Sequence, residues 1–128
     1  MPFDNPYDPP FGDLEILMNA RSRISAEGSW LKGSFQDEDR RCLVAALSVA
    51  AGSPNFDNPN RIERRLARIL VARLPPTAPL LTRFRVYPVR RRLMRFNDHR
   101  RTRHEDVLAL YDRAIDHLAH KTAQCACV

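Results

Sequence analysis

The sequence predicts an all-α fold, a compact bundle of four or five short helices preceded by an extended proline-rich N-terminal arm. Three observations predict it. Apolar residues recur at helical spacing through most of the chain, glycine or proline follows the candidate helices, and one segment near the middle is apolar nearly all round. The 128 residues are 44% hydrophobic, so we expect a single domain with a real core.

Residues 1–12 are predicted to form the arm, because Pro2, Pro6, Pro9 and Pro10 restrict their predecessors to extended conformations. The segment has neither a basic start nor an apolar stretch, so we expect no secretory signal. No apolar run approaches the ~18 residues that span a bilayer. Three cysteines cannot all pair with one another, which favours a reducing, cytoplasmic location.

The helical domain is expected to span residues 13–121, with a flexible tail at 122–128. The first helix begins after Asp13 and ends at Gly28, and its apolar face comprises Leu14, Leu17, Met18 and Ile24. The second helix, residues 41–51, has no polar face and therefore belongs at the centre of the core. We expect the acids before it to complement the dipole at its start, namely Asp37, Glu38 and Asp39.

A turn is predicted between these two helices, where the Trp30 indole closes one end of the core and Gly33 adopts a positive φ. Asn60 is the expected N-cap of a third helix, which ends at Pro75 and Pro76. The inward residues of this helix are Ile62, Leu66, Ile69 and Leu70.

The last third of the chain is predicted to hold one extended segment and two helices. Residues 82–87 alternate with period two, which indicates the extended segment, and a short helix starts at Pro88. Thr102 and Glu105 form a capping box for the final helix. Its apolar stripe comprises Val107, Leu108, Leu110, Tyr111, Ala114, Ile115 and Leu118.

Three short stretches of the chain together resemble a known family. They are Trp30-x-x-Gly33, Cys42-Leu-Val-Ala-Ala-Leu47, and Phe96-Asn97-Asp98 followed by residues 107–115. In this order they resemble an uncharacterised family of small proteins from actinobacteria and rhizobia that carries a domain of unknown function. The resemblance covers residues 14–118 and implies a helical fold and a bacterial source. It implies no activity.

The strongest functional signal is the excess of arginine, which supplies 19 of the 21 basic residues in a chain of net charge +6. Residues 83–104 contain nine arginines and a single acid, Asp98, which gives this segment a local charge of +8. The nine are Arg83, Arg85, Arg90, Arg91, Arg92, Arg95, Arg100, Arg101 and Arg103. A further stripe at helical spacing comprises Arg61, Arg64, Arg65 and Arg68.

If both groups lie on one side of the domain, they form a face able to neutralise several phosphates of a nucleic acid, or to bind an acidic protein. A competing interpretation is a solvated surface in an Arg-rich proteome, because a GC-rich genome raises the arginine content without selection for binding.

Two smaller groups of residues have chemistry to offer. One group has two imidazoles at i, i+3 and two thiolates, which suit a tetrahedral site for zinc or another soft metal. Its residues are His117, His120, Cys125 and Cys127. The competing interpretation is a frayed helix end and a disordered tail. An enzyme-like cluster would combine Cys42 with Asn97, Asp98 and His99, but a thiol inside an apolar helix is expected to be inert.

We therefore predict a non-enzymatic binding or regulatory module, without a cofactor, that uses an Arg-rich face on nucleic acid or an acidic protein. The alternative is a structural or protein-interaction domain without nucleic acid, which dimerises or docks through apolar surface and the arm. A small metal-binding protein is a third class. No phosphate-cradling glycine loop, nucleophile elbow or paired-carboxylate site favours an enzyme.

Overall fold

The computed structural model describes residues 11–53, 58–78, 82 and 85–126, with side chains for residues 12–121 of these ranges. Within this part of the chain the elements are α1 (Phe11–Arg23), β1 (Gln36–Asp37), β2 (Arg40–Arg41), α2 (Leu43–Ala50), α3 (Arg61–Ala72), α4 (Val89–Asp98) and α5 (His104–Ala126). The prediction of an all-α bundle is confirmed, with one small hairpin added. Residues 1–10 of the predicted arm lie outside the described residues, and the last two residues of that arm belong to α1.

Helix α2 lies at the centre of the core, as its sequence predicts. Its buried residues occupy every side of the helix: Leu43, Val44, Ala45, Ala46, Leu47 and Ser48. Helices α1, α3 and α4 pack against it, and α1 also packs against α5. The helix starts two residues later than predicted because Cys42 is its N-cap, where the thiol sulfur accepts the Ala45 N–H at 3.4 Å.

The acids before α2 form a hairpin instead of the first turn of a helix, so that prediction was wrong. Asp37 pairs with Arg40 across β1 and β2, and Glu38 adopts a φ of +54° in the turn between them. An Arg40–Asp37 ion pair of 2.6 Å joins the two strands. Backbone bonds from Arg41 to residues 29 and 31 fix the hairpin to the preceding turn, so the chain is extended where a helical start was expected.

Helix α1 presents most of the predicted apolar face, since Leu17 and Ile24 are buried and Leu14 packs against the core, but one predicted member is wrong. Its core residues are Ile16, Leu17, Ala20 and Ile24, the last in the turn that follows the helix. Met18 is 53% exposed, so its assignment to this face was wrong. Each residue advances by about 100° around a helix, and the i, i+4, i+8 line through Ile16 therefore turns Met18 outward.

The start of α3 and the start of α4 agree with the predictions. The Asn60 side-chain oxygen accepts the Glu63 N–H at 2.8 Å and so caps α3. Pro88 occupies the N-cap position of α4. Residues 85–87 form a turn, so the predicted extended segment is wrong there, and residues 83 and 84 lie outside the described residues.

Helix α5 starts one residue later than the predicted capping box requires. The Thr102 N–H donates to the His99 carbonyl at 2.9 Å, and this turn delays the helix. The carboxylate that reaches back is therefore Asp106, which accepts the Arg103 N–H at 2.8 Å, so the Thr102–Glu105 box is wrong. The buried stripe of α5 is confirmed, and the helix continues to Ala126 through most of the predicted tail. No helix in the described part of the chain is long and apolar enough to cross a membrane.

Candidate functional site

The candidate arginines divide into those that join helices and those that are exposed to solvent. Arg65 of α3 belongs to the first group, because its Nε and Nη2 donate to the two carboxylate oxygens of Asp13 at 2.8 and 2.7 Å. Asp13 is only 2% exposed, so this bidentate pair fastens α1 to α3. Arg92 of α4 donates through Nε to the backbone oxygen of Thr82.

Arg90 takes part in a buried polar network that joins α2, α3 and α4. Its Nε donates to Oε2 of Glu63 at 2.9 Å, and its Nη2 donates to the Ser48 hydroxyl at 3.2 Å. Glu63 is completely buried, and its Oε1 accepts the hydroxyls of Ser48 and Ser53 at 2.6 and 2.8 Å. The sequence carried a signal for this network, since Glu63 shares the inward face of α3 with Leu66 and Leu70.

A second group, which we call the exposed arginine set, has guanidinium groups without an ion pair or hydrogen bond within the described part of the chain. It comprises Arg61, Arg64, Arg68, Arg85, Arg91, Arg95, Arg100 and Arg101. These residues lie on α3, on α4 and in the turns before and after α4. Arg103 is also exposed and approaches Glu105 only to 3.7 Å. Arg83 lies outside the described residues.

A shallow groove along α4, which we call the α4 groove, contains two members of this set. Arg91 and Arg95 line it together with Pro88 and Met94, so cationic groups border an apolar floor. Asp98 also lines the groove, and its Oδ1 accepts the Gly33 N–H and the Asn97 side-chain amide, each at 2.9 Å. Asp98 therefore stabilises the fold through these two bonds. The two arginines outnumber its single negative charge, so the groove is mainly positive.

An adjoining groove, which we call the α4–α5 groove, contains further arginines. It lies between the α4–α5 turn and the segment that follows α3, and Arg100, Arg101 and Arg113 line it. His99 lines both grooves. The exposed arginines of α4 and those of the α4–α5 turn therefore border one continuous stretch of surface.

The stretches that carry the family resemblance meet in space around Asn97. Its Oδ1 accepts the Trp30 indole N–H at 2.6 Å and the Leu43 N–H at 3.1 Å, and its amide donates to the Leu31 carbonyl at 3.0 Å. Asn97 is buried, so these bonds replace contacts with water. Gly33 has a φ of +79°, as predicted. The role of these residues is to join the turn, α2 and α4.

Cys42 has the environment of a packing residue. The side chain is buried, and burial raises the pKa of its thiol, which disfavours the thiolate that a nucleophile requires. The other members of the proposed cluster serve the backbone: Asn97 as above, and His99 through Nδ1, which accepts the Arg101 N–H at 3.2 Å. The arrangement supports packing and turn formation.

The structure describes only part of the predicted metal site. Nη2 of Arg73 lies 2.8 Å from Nδ1 of His117, and burial, followed by the Arg73 charge, lowers the pKa of this histidine. A guanidinium beside the ring opposes a second cation there. No cluster of three metal-ligating side chains occurs among the described residues. The side chain of Cys125 and all of Cys127 lie outside them, so the zinc site stays a prediction.

The fold and the site define a small helical domain with an arginine-bearing surface. Residues 9–117 match the model of a family whose description is "Family of unknown function (DUF6197)". This match covers most of the chain, and the chain belongs to that family. The finding agrees with the resemblance to a family of unknown function over residues 14–118. No curated protein and no solved structure matches the chain.

Proposed function

We propose that the protein is a non-enzymatic module that binds nucleic acid through the exposed arginine set, chiefly by contacts with phosphate groups. The observation that carries this proposal is that the guanidinium groups of this set have no partner in the described part of the chain. Arginines that serve the fold, such as Arg65 and Arg90, are paired with buried carboxylates. The exposed set is available to an external anion.

The distribution of the exposed arginines favours a nucleic acid over an acidic protein. They are spread over two helices and two turns, which suits a long polymer with regularly spaced charges. A planar guanidinium also donates two parallel hydrogen bonds to one phosphate. Within the α4 groove, Met94 and Pro88 offer apolar contact to a sugar or a base beside the arginines.

The family resemblance favours a bacterial source, and a free, buried Cys42 is typical of a reducing cytoplasm. We include both in the proposal. Binding of this kind is driven by the release of counterions from the phosphates. Its affinity therefore falls as the salt concentration rises. It requires neither a cofactor nor a catalytic group.

The test is fluorescence anisotropy of a labelled mixed-sequence DNA duplex and an RNA hairpin, titrated with the wild-type protein and two double variants. Arg91→Glu/Arg95→Glu reverses charge in the α4 groove, where neither side chain supports the fold. Arg23→Glu/Lys121→Glu removes the same net charge elsewhere. Reversal at Arg90 is unsuitable as a test, because it breaks the Glu63 network.

We expect the α4 variant to lose at least about tenfold in affinity, since each charge-assisted phosphate bond contributes about 1.5–3 kcal/mol. The control should show only the smaller effect of net charge. Equal losses in both variants would contradict the proposal. Equal affinity for polyglutamate would assign the surface to acidic proteins. A concentration-dependent mass without polyanion affinity would favour the structural or protein-interaction alternative.

A further inference from the structure

The α4–α5 groove has the size and the wall chemistry of a small-molecule site. Its volume is about 470 Å³, within the range of roughly 300–1,000 Å³ that ligand pockets occupy. Pro75 and Ala109 contribute apolar surface, and Arg100, Arg101 and Arg113 contribute three guanidinium groups. Ligands that suit such a site carry an anionic group and an apolar body.

Arg113 contributes a fixed positive charge to the wall of the α4–α5 groove. Its Nε donates to the Arg73 carbonyl at 3.0 Å, which holds the guanidinium in place. Its Nη2 is buried and has no acceptor among the described residues. A buried donor without an acceptor is destabilising, and the effect is larger when the group is charged. Arg113 has no ion pair among the described residues, so its charge adds to the positive potential of the groove that it lines.

The other polar groups of the groove favour the same kind of ligand. Arg100 and Arg101 are exposed guanidiniums without a partner in the described part of the chain. Nδ1 of His99 accepts the Arg101 N–H, so the neutral ring carries its proton on Nε2 and has a donor to offer. The opposing charge is Asp106, whose Oδ2 accepts the Arg103 N–H. The net charge around the groove is therefore positive.

We propose that the α4–α5 groove binds a phosphomonoester, with the phosphate on Arg100, Arg101 and Arg113 and the organic part against Pro75 and Ala109. A phosphomonoester carries close to two negative charges and three terminal oxygens, which suits a groove lined by three guanidiniums better than a carboxylate does. The phosphate belongs either to a free small molecule or to the 5′ end of an oligonucleotide. This inference goes beyond the proposed function, because Arg113 is not a member of the exposed arginine set and a polynucleotide backbone consists of diesters.

The experiment is isothermal titration calorimetry at constant ionic strength, with phenyl phosphate, inorganic phosphate, and trinucleotides with either a 5′-phosphate or a 5′-hydroxyl. Arg113→Gln tests the fixed charge in the groove wall. Arg100→Gln/Arg101→Gln tests whether the other two guanidiniums contribute to binding. Both side chains are exposed, so their replacement does not disturb the packing of the core. Arg23→Gln/Lys121→Gln is the matched control, since it removes two cations that belong neither to the groove nor to the exposed arginine set.

We expect one molecule of phenyl phosphate per chain, with affinity reduced about tenfold or more by each groove variant and unchanged by the control. Preference for the 5′-phosphorylated trinucleotide over phenyl phosphate identifies a nucleic-acid end as the source, and the reverse preference identifies a small molecule. Absence of phenyl phosphate binding at millimolar concentration overturns the inference. Equal binding by wild type and Arg100→Gln/Arg101→Gln does so too, even if Arg113→Gln fails to fold.

The two proposals fail separately. Arg91→Glu/Arg95→Glu should weaken the binding of long nucleic acids much more than it weakens the binding of phenyl phosphate. Nucleic-acid binding without any phosphomonoester binding would overturn only the inference about the α4–α5 groove. Phosphomonoester binding without affinity for long nucleic acids would overturn only the proposed function.

Discussion

Replacement of Arg90 by Met should destabilise the fold by about 3–5 kcal/mol, because the Glu63 carboxylate would stay buried without its cation. Glu63 is 0% exposed, and the change removes the 2.9 Å bond to Oε2 and the 3.2 Å bond to Ser48. Oε1 keeps its two serine donors. Arg90 is itself 23% exposed, so water can reach part of the site and the loss belongs near the lower end of the range.

Arg91→Met is the matched control, since it makes the same substitution one residue further along α4 at an exposed, unpaired position. We expect its effect on the free energy of unfolding to stay within about 0.5 kcal/mol. Urea unfolding followed by far-UV circular dichroism and by the single tryptophan, Trp30, measures both variants. In thermal unfolding, Arg90→Met should lower Tm by roughly 12 °C, at about 4 °C per kcal/mol for a loss near the lower end of that range.

A second substitution tests the cause of this loss. Glu63→Gln in the Arg90→Met background replaces the unpaired carboxylate with a neutral amide and should recover part of the stability. Equal stability of Arg90→Met and Arg91→Met would refute the reasoning, since Glu63 would then not depend on its partner. Failure of Glu63→Gln to recover any stability would show that lost packing, not the unpaired charge, causes the effect.

Three further predictions follow from the buried polar groups. Asn97→Ala should cost about 2–4 kcal/mol, because it leaves buried donors and an acceptor unpaired, and urea unfolding with a shift in Trp30 emission measures it. In a variant whose other cysteines are alanine, the Cys42 thiol should react with a disulfide reagent only after unfolding. Rapid reaction of the native protein would contradict the burial of this side chain. The fold lowers the pKa of His117, so the unfolded chain binds the proton first as the pH falls, and stability should be lost below about pH 6.5. His117→Gln should therefore reduce the change in Tm between about pH 8 and pH 5. An unchanged dependence of Tm on pH in the variant would contradict this.

Much of the fold follows from local patterns in the sequence. The apolar segment around α2 indicates a central helix whichever helices surround it, and Asn60 caps α3 through a contact only three residues away. The hairpin at residues 36–41 was missed because acids before an apolar helix usually belong to its first turn. Here pairing of Arg41 with residues 29 and 31, a tertiary contact, decides the conformation.

The candidate site could be located from the sequence but not resolved into its parts. Local charge predicts an arginine-rich surface, yet it treats Arg65, Arg90 and Arg91 alike. Their roles differ because of partners elsewhere in the chain: Asp13 lies 52 residues from Arg65, and Glu63 lies 27 residues from Arg90. The α4–α5 groove depends on the meeting of α4, α5 and the segment after α3, which no local pattern reveals.

The most direct test of the account is the salt dependence of DNA binding by the wild type and by Arg91→Ala/Arg95→Ala. Each phosphate contact contributes about 0.9 to the slope of log affinity against log salt for duplex DNA. If these two arginines each contact a phosphate, neutralising both should reduce the steepness of the slope by roughly 2. An unchanged slope in the variant, or a flat wild-type response, would contradict the claim that the exposed arginines bind nucleic acid.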